Sequence, residues 1–329
     1  MRAAVHTRFG PPEVLRVMDV EKPVPRDNEI LIKVHASTVN RSDCGFRSAS
    51  PWIVRLFAGL SKPRRPISGT EFAGEIEQIG RGVTLFKVGD AVFGRAQDET
   101  PGSHAQYMCM PQDGAVAHKP RNLTFAEAAV ICDGAMLAGM WIRRVDFNRH
   151  KKVLVNGASG AIGSACLQLA KVHKAHVTAV CKTEAIDIVR SLGADRVIDY
   201  KKEDFTTLDE SFDVVFDAVG KSSLTRCRHL IRSGGIYVSS ELGPMLQNPI
   251  QALRTALFGG KIKVYFPIPR YRKEEVVYLK GLVESGRFRP VIDRTYPLDQ
   301  IVQATRFVET GEKIGNVVIL VTQNQPARP

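Results

Sequence analysis

A chain of 329 residues with 44% hydrophobic and 24% charged content is long enough for two cores and ordinary for a globular protein. Its net charge of +12 is spread along the sequence, with small concentrations only at Lys62-Pro63-Arg64-Arg65 and Arg270-Tyr271-Arg272-Lys273. That spread argues against a nucleic-acid tail and for solubility plus steering of a phosphorylated cofactor. No apolar run reaches the roughly 18–20 residues of a membrane span, and Met1-Arg2-Ala3-Ala4-Val5 lacks a basic-then-apolar leader, so a cytoplasmic location is expected.

In chain order, residues 1–120 read as short strands broken by turns: 14–20, 30–36, 72–80, then 91–93 after the Gly89-Asp90 turn. Many short strands cornered by glycine predict a barrel or sandwich. Thr124 followed by Glu127 has capping-box spacing and opens a helix. From 152 to about 266 strands and helices alternate, which predicts parallel strands joined by crossover helices. Helices are expected over 273–284 and 298–309 and a strand over 316–321. The polar tail from 323 is expected to be disordered.

The chemistry begins at the strand 152–156, followed by Gly157-Ala158-Ser159-Gly160-Ala161-Ile162-Gly163 and a segment of helical apolar spacing. Glycine permits a tight turn and lets backbone amides approach a pyrophosphate, and the helix N-terminus adds about half a positive charge beside that anion. Strand, glycine turn and helix in this order point to a dinucleotide site, although the spacing is G-xx-G-xx-G. The next strand, 176–181, ends at Lys182 rather than at the acid that accepts a ribose 2′-hydroxyl in NAD sites. An ammonium there attracts a 2′-phosphate, so NADPH is the expected cofactor. Glu184, one turn on, counts against this, and a solvated surface lysine is the alternative reading of Lys182.

The six cysteines contain no CxxC pair, so neither a thiolate zinc cluster nor a disulfide framework is expected. Around the glycine turn, the ordered series Gly69-Thr70-Glu71-Phe72-Ala73-Gly74, Gly89-Asp90, Leu192-Gly193-Ala194-Asp195, Val197-Ile198-Asp199-Tyr200 and 212–220 resembles the medium-chain dehydrogenase/reductase superfamily over nearly the whole chain. Specifically, it resembles the zinc-free quinone oxidoreductase branch. The resemblance implies an α/β fold in which a doubly wound parallel Rossmann sheet, 124–267, is inserted in a GroES-like β-barrel domain formed by 1–123 and 268–329. It implies cofactor contacts from Gly157, Ser159, Gly160, Ala161, Ile162, Gly163, Lys182 and Tyr200, from Ser240, Leu242, Val264 and Phe266 near the nicotinamide, and from Asn316.

Zinc-dependent relatives carry histidine before the glutamate of Gly-x-Glu; here Thr70 precedes Glu71, and the stretch 95–110 offers only Cys109. Cys44, Glu71 and His104 could in principle gather around one metal, but neutral Thr70 is a poor zinc ligand, and no metal is expected. Relatives often have a threonine in the helix around 134–141, which this chain lacks, and Asp133 at its edge reads as a cap. Asn40 and Asp43 match the segment facing the nicotinamide in relatives. They are candidates to orient a substrate oxygen and organise a polar relay, or ordinary turn residues. Phe46, Trp52, Phe57 and Phe93 are candidate pocket walls.

Without a Lewis acid, reduction of a quinone or an α,β-unsaturated carbonyl is the easier chemistry, because such a substrate delocalises the incoming charge. A small apolar electron-poor substrate is therefore expected, with no specific nucleic-acid partner. The family makes a homodimer plausible. The rivals are a zinc-independent alcohol or aldehyde oxidoreductase and a non-enzymatic binding protein on the same fold.

Overall fold

The computed structural model describes residues 1–97, 102–243, 246–266 and 270–322, and the chain divides into two units. The first comprises Met1–Cys132, Tyr271–Gly286 and Pro290–Pro329, and the second Asp133–Arg270 with Arg287–Arg289.

The first unit begins with strands β1 (Arg2–Val5), β2 (Arg16–Asp19) and β3 (Glu29–Val39). Helices α1 (Arg41–Ser48) and α2 (Arg55–Ala58) follow, then β4 (Glu71–Ile79), β5 (Ala91–Arg95), β6 (Tyr107–Pro111), β7 (Val116–His118) and α3 (Phe125–Ala129). The second unit runs α4 (Cys132–Ile142), β8 (Lys152–Asn156), α5 (Ala161–Val172), β9 (His176–Cys181), α6 (Ile186–Ser191), β10 (Arg196–Asp199), β11 (Phe212–Asp217), α7 (Leu224–Cys227), β12 (Ile231–Ser239), α8 (Gln247–Phe258) and β13 (Lys263–Tyr265). The chain then returns to the first unit with α9 (Lys273–Glu284), β14 (Ile292–Pro297), α10 (Ile301–Thr310) and β15 (Asn316–Leu320).

Strand β3 organises the first unit. It pairs with β4 along its length, with β6 through residues 29–33 and with β15 through 36–39, within the order β14-β15-β3-β4-β5-β7. Its alternate residues Ile30, Ile32 and Val34 are fully buried with Phe72, Ile76, Val92, Met108 and Ile319. Burying each such side chain stabilises the fold by roughly 1.5–3 kcal/mol. The capping box at Thr124 and Glu127 forms, with both reciprocal hydrogen bonds present. Its helix α3 packs on β3 and β4, so it belongs to this unit and the division falls after Cys132 rather than after 123. The expected boundary at 267/268 and the tail from 323 lie outside the described residues.

The second unit holds six parallel strands in the order β10-β9-β8-β11-β12-β13. Winding runs outward in both directions from β8 and β11, so the topological switch point lies between them. In such sheets ligands bind beyond the carboxyl ends of the strands at that point. Asn156 and Asp217, the last residues of β8 and β11, stand opposite each other there. No helix among the described residues is long and apolar enough to cross a membrane.

Candidate active site

In the second unit the glycines of the turn after β8 do different work. Gly157 has φ +78°, and a Cβ there would meet the Val219 side chain at 2.3 Å. Gly163 lies against the turn itself: a Cβ would stand 2.0 Å from the Gly157 carbonyl oxygen. Gly160 is the N-cap of α5 at φ −79°, ψ 174°, ordinary extended backbone. Only the Gly157 oxygen, at 3.6 Å, lies near its absent Cβ. The three glycines thus differ: the positive φ lies at Gly157, the packing constraint at Gly163, and Gly160 faces open space.

The amides of Gly157 and Ala158 both donate to the Val180 carbonyl and that of Gly160 to Gly157, which fixes the loop. Ala161, Ile162 and Gly163 form the first turn of α5, whose amides have no intrahelical acceptor. Ser159, Ala161 and Ile162 are half-buried beside them. Gly134 of α4, which no sequence signal singled out, lets that helix touch this turn; a Cβ there would meet the Ala161 oxygen at 2.5 Å.

At the end of β9, Lys182 leads into a short turn, and Thr183 donates to Asp199 at 2.7 Å. Tyr200, exposed, donates its amide to the Cys181 carbonyl, which brings the ends of β9 and β10 together. That pairing delivers Lys201 and Lys202 to the same corner. Lys201 lies 2.6 Å from Glu184 and holds that carboxyl below its ordinary range. The acid that counted against a phosphorylated ribose is thus engaged by a cation from the neighbouring strand.

Beyond β12, Ser240 donates its amide to the Asp217 carbonyl, and its Oγ is buried with no protein partner. Leu242, half-buried, accepts from the Asn248 amide. Phe266 is half-buried just past β13. Val264 is corrected: it alternates inward into the core with Leu154, Phe212 and Tyr237, and its amide donates to Thr255 Oγ1. An unpartnered hydroxyl, free first-turn amides and an open glycine face fit a dinucleotide along this edge.

In the first unit, Asn40 and Asp43 form a capping box at the start of α1. Asn40 Oδ1 accepts from the Asp43 amide at 2.9 Å, and Asp43 Oδ2 from the Asn40 amide at 3.0 Å. Of the two readings, orienting a substrate oxygen or serving as turn residues, the capping box realises the second. Asn40 Nδ2 instead donates to Thr70 Oγ1 at 3.1 Å. The Thr70 hydroxyl, used as an acceptor there, keeps its own proton for another partner. Asn316 opens β15, and its side chain and its backbone amide both donate to the Val291 carbonyl, a structural task.

Thr70 and Asp43 line a cavity of about 380 Å³ walled by Phe9, Phe46, Leu56 and Phe57. Of the expected walls, Phe46 and Phe57 are present; Trp52 points to solvent and Phe93 is fully buried in the core. A larger hollow of about 900 Å³ beside Tyr107 and Cys109 contains neither Asn40, Asp43 nor Thr70.

The donors around Thr70 do not suit zinc. His104 is completely buried, its Nε2 donates to the Thr38 carbonyl at 2.7 Å, and burial pushes its pKa down to about 4. Burial drives the Cys44 thiol up to about 12, and Glu71 Oε2 accepts from Thr38 at 2.7 Å. Among the described residues no three of His, Cys, Asp and Glu gather as a ligand set.

The model for an alcohol dehydrogenase GroES-like domain matches residues 26–121, and one for a zinc-binding dehydrogenase matches 192–319. The chain is 31% identical to a 2-methylene-furan-3-one reductase of Solanum lycopersicum, over 97% of this chain and 79% of that protein. A chloroplastic NADPH-dependent alkenal/one oxidoreductase of Arabidopsis thaliana matches at the same identity and coverage. The solved quinone oxidoreductase from Coxiella burnetii superposes with a TM-score of 0.86 at 27% identity, covering 98% of this chain and 99% of that one.

Proposed function

The chain belongs to the medium-chain dehydrogenase/reductase family, in its quinone oxidoreductase-like branch, and from this premise we propose that it is an NADPH-dependent, zinc-independent reductase of quinones or α,β-unsaturated carbonyls. It is an NAD(P)H-dependent oxidoreductase, as its relatives are. The observation that carries the substrate reading is Thr70: a hydroxyl held as acceptor by Asn40, with its proton free, on the wall of an aromatic cavity.

When bound, the dihydronicotinamide supplies a hydride, and a conjugated substrate passes the resulting charge to its carbonyl oxygen. Thr70 donates to that oxygen as charge develops, a role the donor set gives to no metal. Asn40 positions Thr70 and the capping box fixes Asn40, so the donor sits on rigid backbone. Phe9, Phe46 and Phe57 offer flat apolar surface to a conjugated ring or enone. The carbon left electron-rich takes its proton from water entering the cavity.

The test is NADPH oxidation with a panel of quinones and enones after exhaustive dialysis against a strong chelator. Full turnover is expected. Loss restored by zinc overturns the zinc-free reading, and silence across the panel with NADPH still bound overturns the substrate reading.

The preference for NADPH rests on Lys182, with Lys201 and Lys202 beside it. Lys182→Ala is expected to weaken NADPH binding by about 1.5–3 kcal/mol, roughly ten- to a hundredfold, and to leave NADH unchanged. Fluorescence titration with both cofactors checks it, and an equal loss for both would show that Lys182 does not read the 2′-phosphate.

A further inference from the structure

Between Asp43 and Glu71 the sequence has no acidic residue but carries Arg47, Arg55, Lys62, Arg64 and Arg65. Arg47 turns inward and pairs with Glu309. Among the described residues no carboxylate pairs with the other four, and Arg55 stands over the Phe9 ring at 5.7 Å. The same stretch exposes Trp52 at 72%, Leu60 at 68%, Phe57 at 58% and Leu56 at 50%.

This is a built surface. A turn at Trp52–Val54 runs into α2, whose last carbonyl, from Ala58, accepts the Arg64 amide at 2.8 Å. Gly59, at φ +124°, folds the loop so tightly that a Cβ would stand 2.1 Å from the Lys62 oxygen. Four large apolar side chains and four cations are thereby held together in water.

We propose that residues 51–65 form a docking surface for an anionic lipid bilayer. Apolar side chains of this size leave water when they enter the headgroup boundary, and tryptophan favours that depth. Arginine and lysine beside them keep their charged ends among lipid phosphates while their stems follow the apolar groups inward. The complementarity is specific in kind: Leu56 and Leu60 gain nothing from a phosphodiester backbone, so the combination favours a bilayer over nucleic acid. Leu56, Phe57, Arg64 and Arg65 also border the cavity that reaches Thr70. Docking therefore sets the cavity mouth at the lipid surface. The proposal stands whether or not the substrate reading does, because its test reads binding and not turnover.

The chain carries its own reporter. Of its two tryptophans, Trp141 is 1% exposed and Trp52 is open to water. The full chain is mixed with vesicles of equal parts phosphatidylserine and phosphatidylcholine, or of phosphatidylcholine alone. The expected result is co-sedimentation with a blue shift of tryptophan emission on the anionic vesicles, about tenfold weaker binding to the neutral ones, and release in molar salt. Trp52→Phe removes the shift while sedimentation remains. Leu60→Ser with Lys62→Gln lowers vesicle affinity by about tenfold with an unchanged melting temperature. Equal binding to both vesicles, or sedimentation without a blue shift, overturns the proposal. So does a blue shift that appears on concentrating the protein without lipid, which means a second copy covers the patch. Retention on duplex DNA with no vesicle binding overturns it as well.

Discussion

Replacing Gly160 with valine is expected to abolish NADPH binding and leave the protein folded. The backbone there is extended, at φ −79°, and nothing but the Gly157 oxygen at 3.6 Å lies near the added Cβ. Valine therefore fits the fold, at a cost of about 1 kcal/mol for a poor N-cap residue. What it fills is the space in front of the first-turn amides of α5. A pyrophosphate kept from two charge-assisted hydrogen bonds loses about 3 kcal/mol or more, at least a hundredfold in affinity. Circular dichroism and thermal melting report the fold, and fluorescence titration with NADPH reports the site. A folded variant with unchanged affinity would remove this turn from the binding site. Gly163→Val is the contrast: its Cβ collides with the Gly157 carbonyl at 2.0 Å, so that variant should lose stability first.

Asp217→Ala should be the most damaging single truncation in the second unit. Asp217 is fully buried at the end of β11, and burial pushes its pKa above the ordinary carboxylate value against the pull of its hydrogen bonds. Its Oδ1 accepts from Asn156 Nδ2 at 3.0 Å and from the Gly220 amide at 3.1 Å. Oδ2 accepts from the Ser222 amide at 3.3 Å and the Tyr237 hydroxyl at 3.4 Å. One side chain thus ties the ends of β8, β11 and β12 together. Removing it strands several buried donors, each costing about 1–3 kcal/mol before water enters. A net loss of about 4 kcal/mol is expected, lowering the melting temperature by roughly 10 °C. Asp217→Asn keeps an acceptor toward Asn156 and should recover part of that loss. An unchanged melting temperature for Asp217→Ala would show that the strand ends are held by packing alone.

The parts legible in the sequence were those whose cause is local. The strand 176–181 and the helix 273–284 lie where periodicity put them, and the capping box at Thr124 needs only residues three apart. The glycine turn was legible as a motif, but the constraint on each glycine was not: the space beside Gly157 is taken by Val219, brought in from another strand end. Asn40 and Asp43 left two readings open because Asn-x-x-Asp is the pattern of both a helix cap and a polar relay. Only the hydrogen bonds distinguish them, and those leave Thr70 as the free donor. Lys201 escaped notice because parallel pairing of Asp199 with Cys181, remote in sequence, carries it to Glu184. Val264 and Phe93 failed for one reason: alternation along a strand decided which way each side chain faces.

The pairing of β15 with β3 has a consequence for how the molecule is made. Synthesis delivers β3 first, whereas its partner through Val317–Leu320 follows some 280 residues later. The second unit, apart from Arg287–Arg289, is one uninterrupted stretch and can condense while the last strands are still being added. During that interval the 36–39 edge of β3 is an open strand, rich in unpaired backbone groups and prone to wrong partners. The first unit closes only by joining segments some 280 residues apart, a slow, non-local step. Nascent chains stalled before residue 316 should therefore be the ones that engage chaperones and aggregate, even though their nucleotide-binding half is already complete.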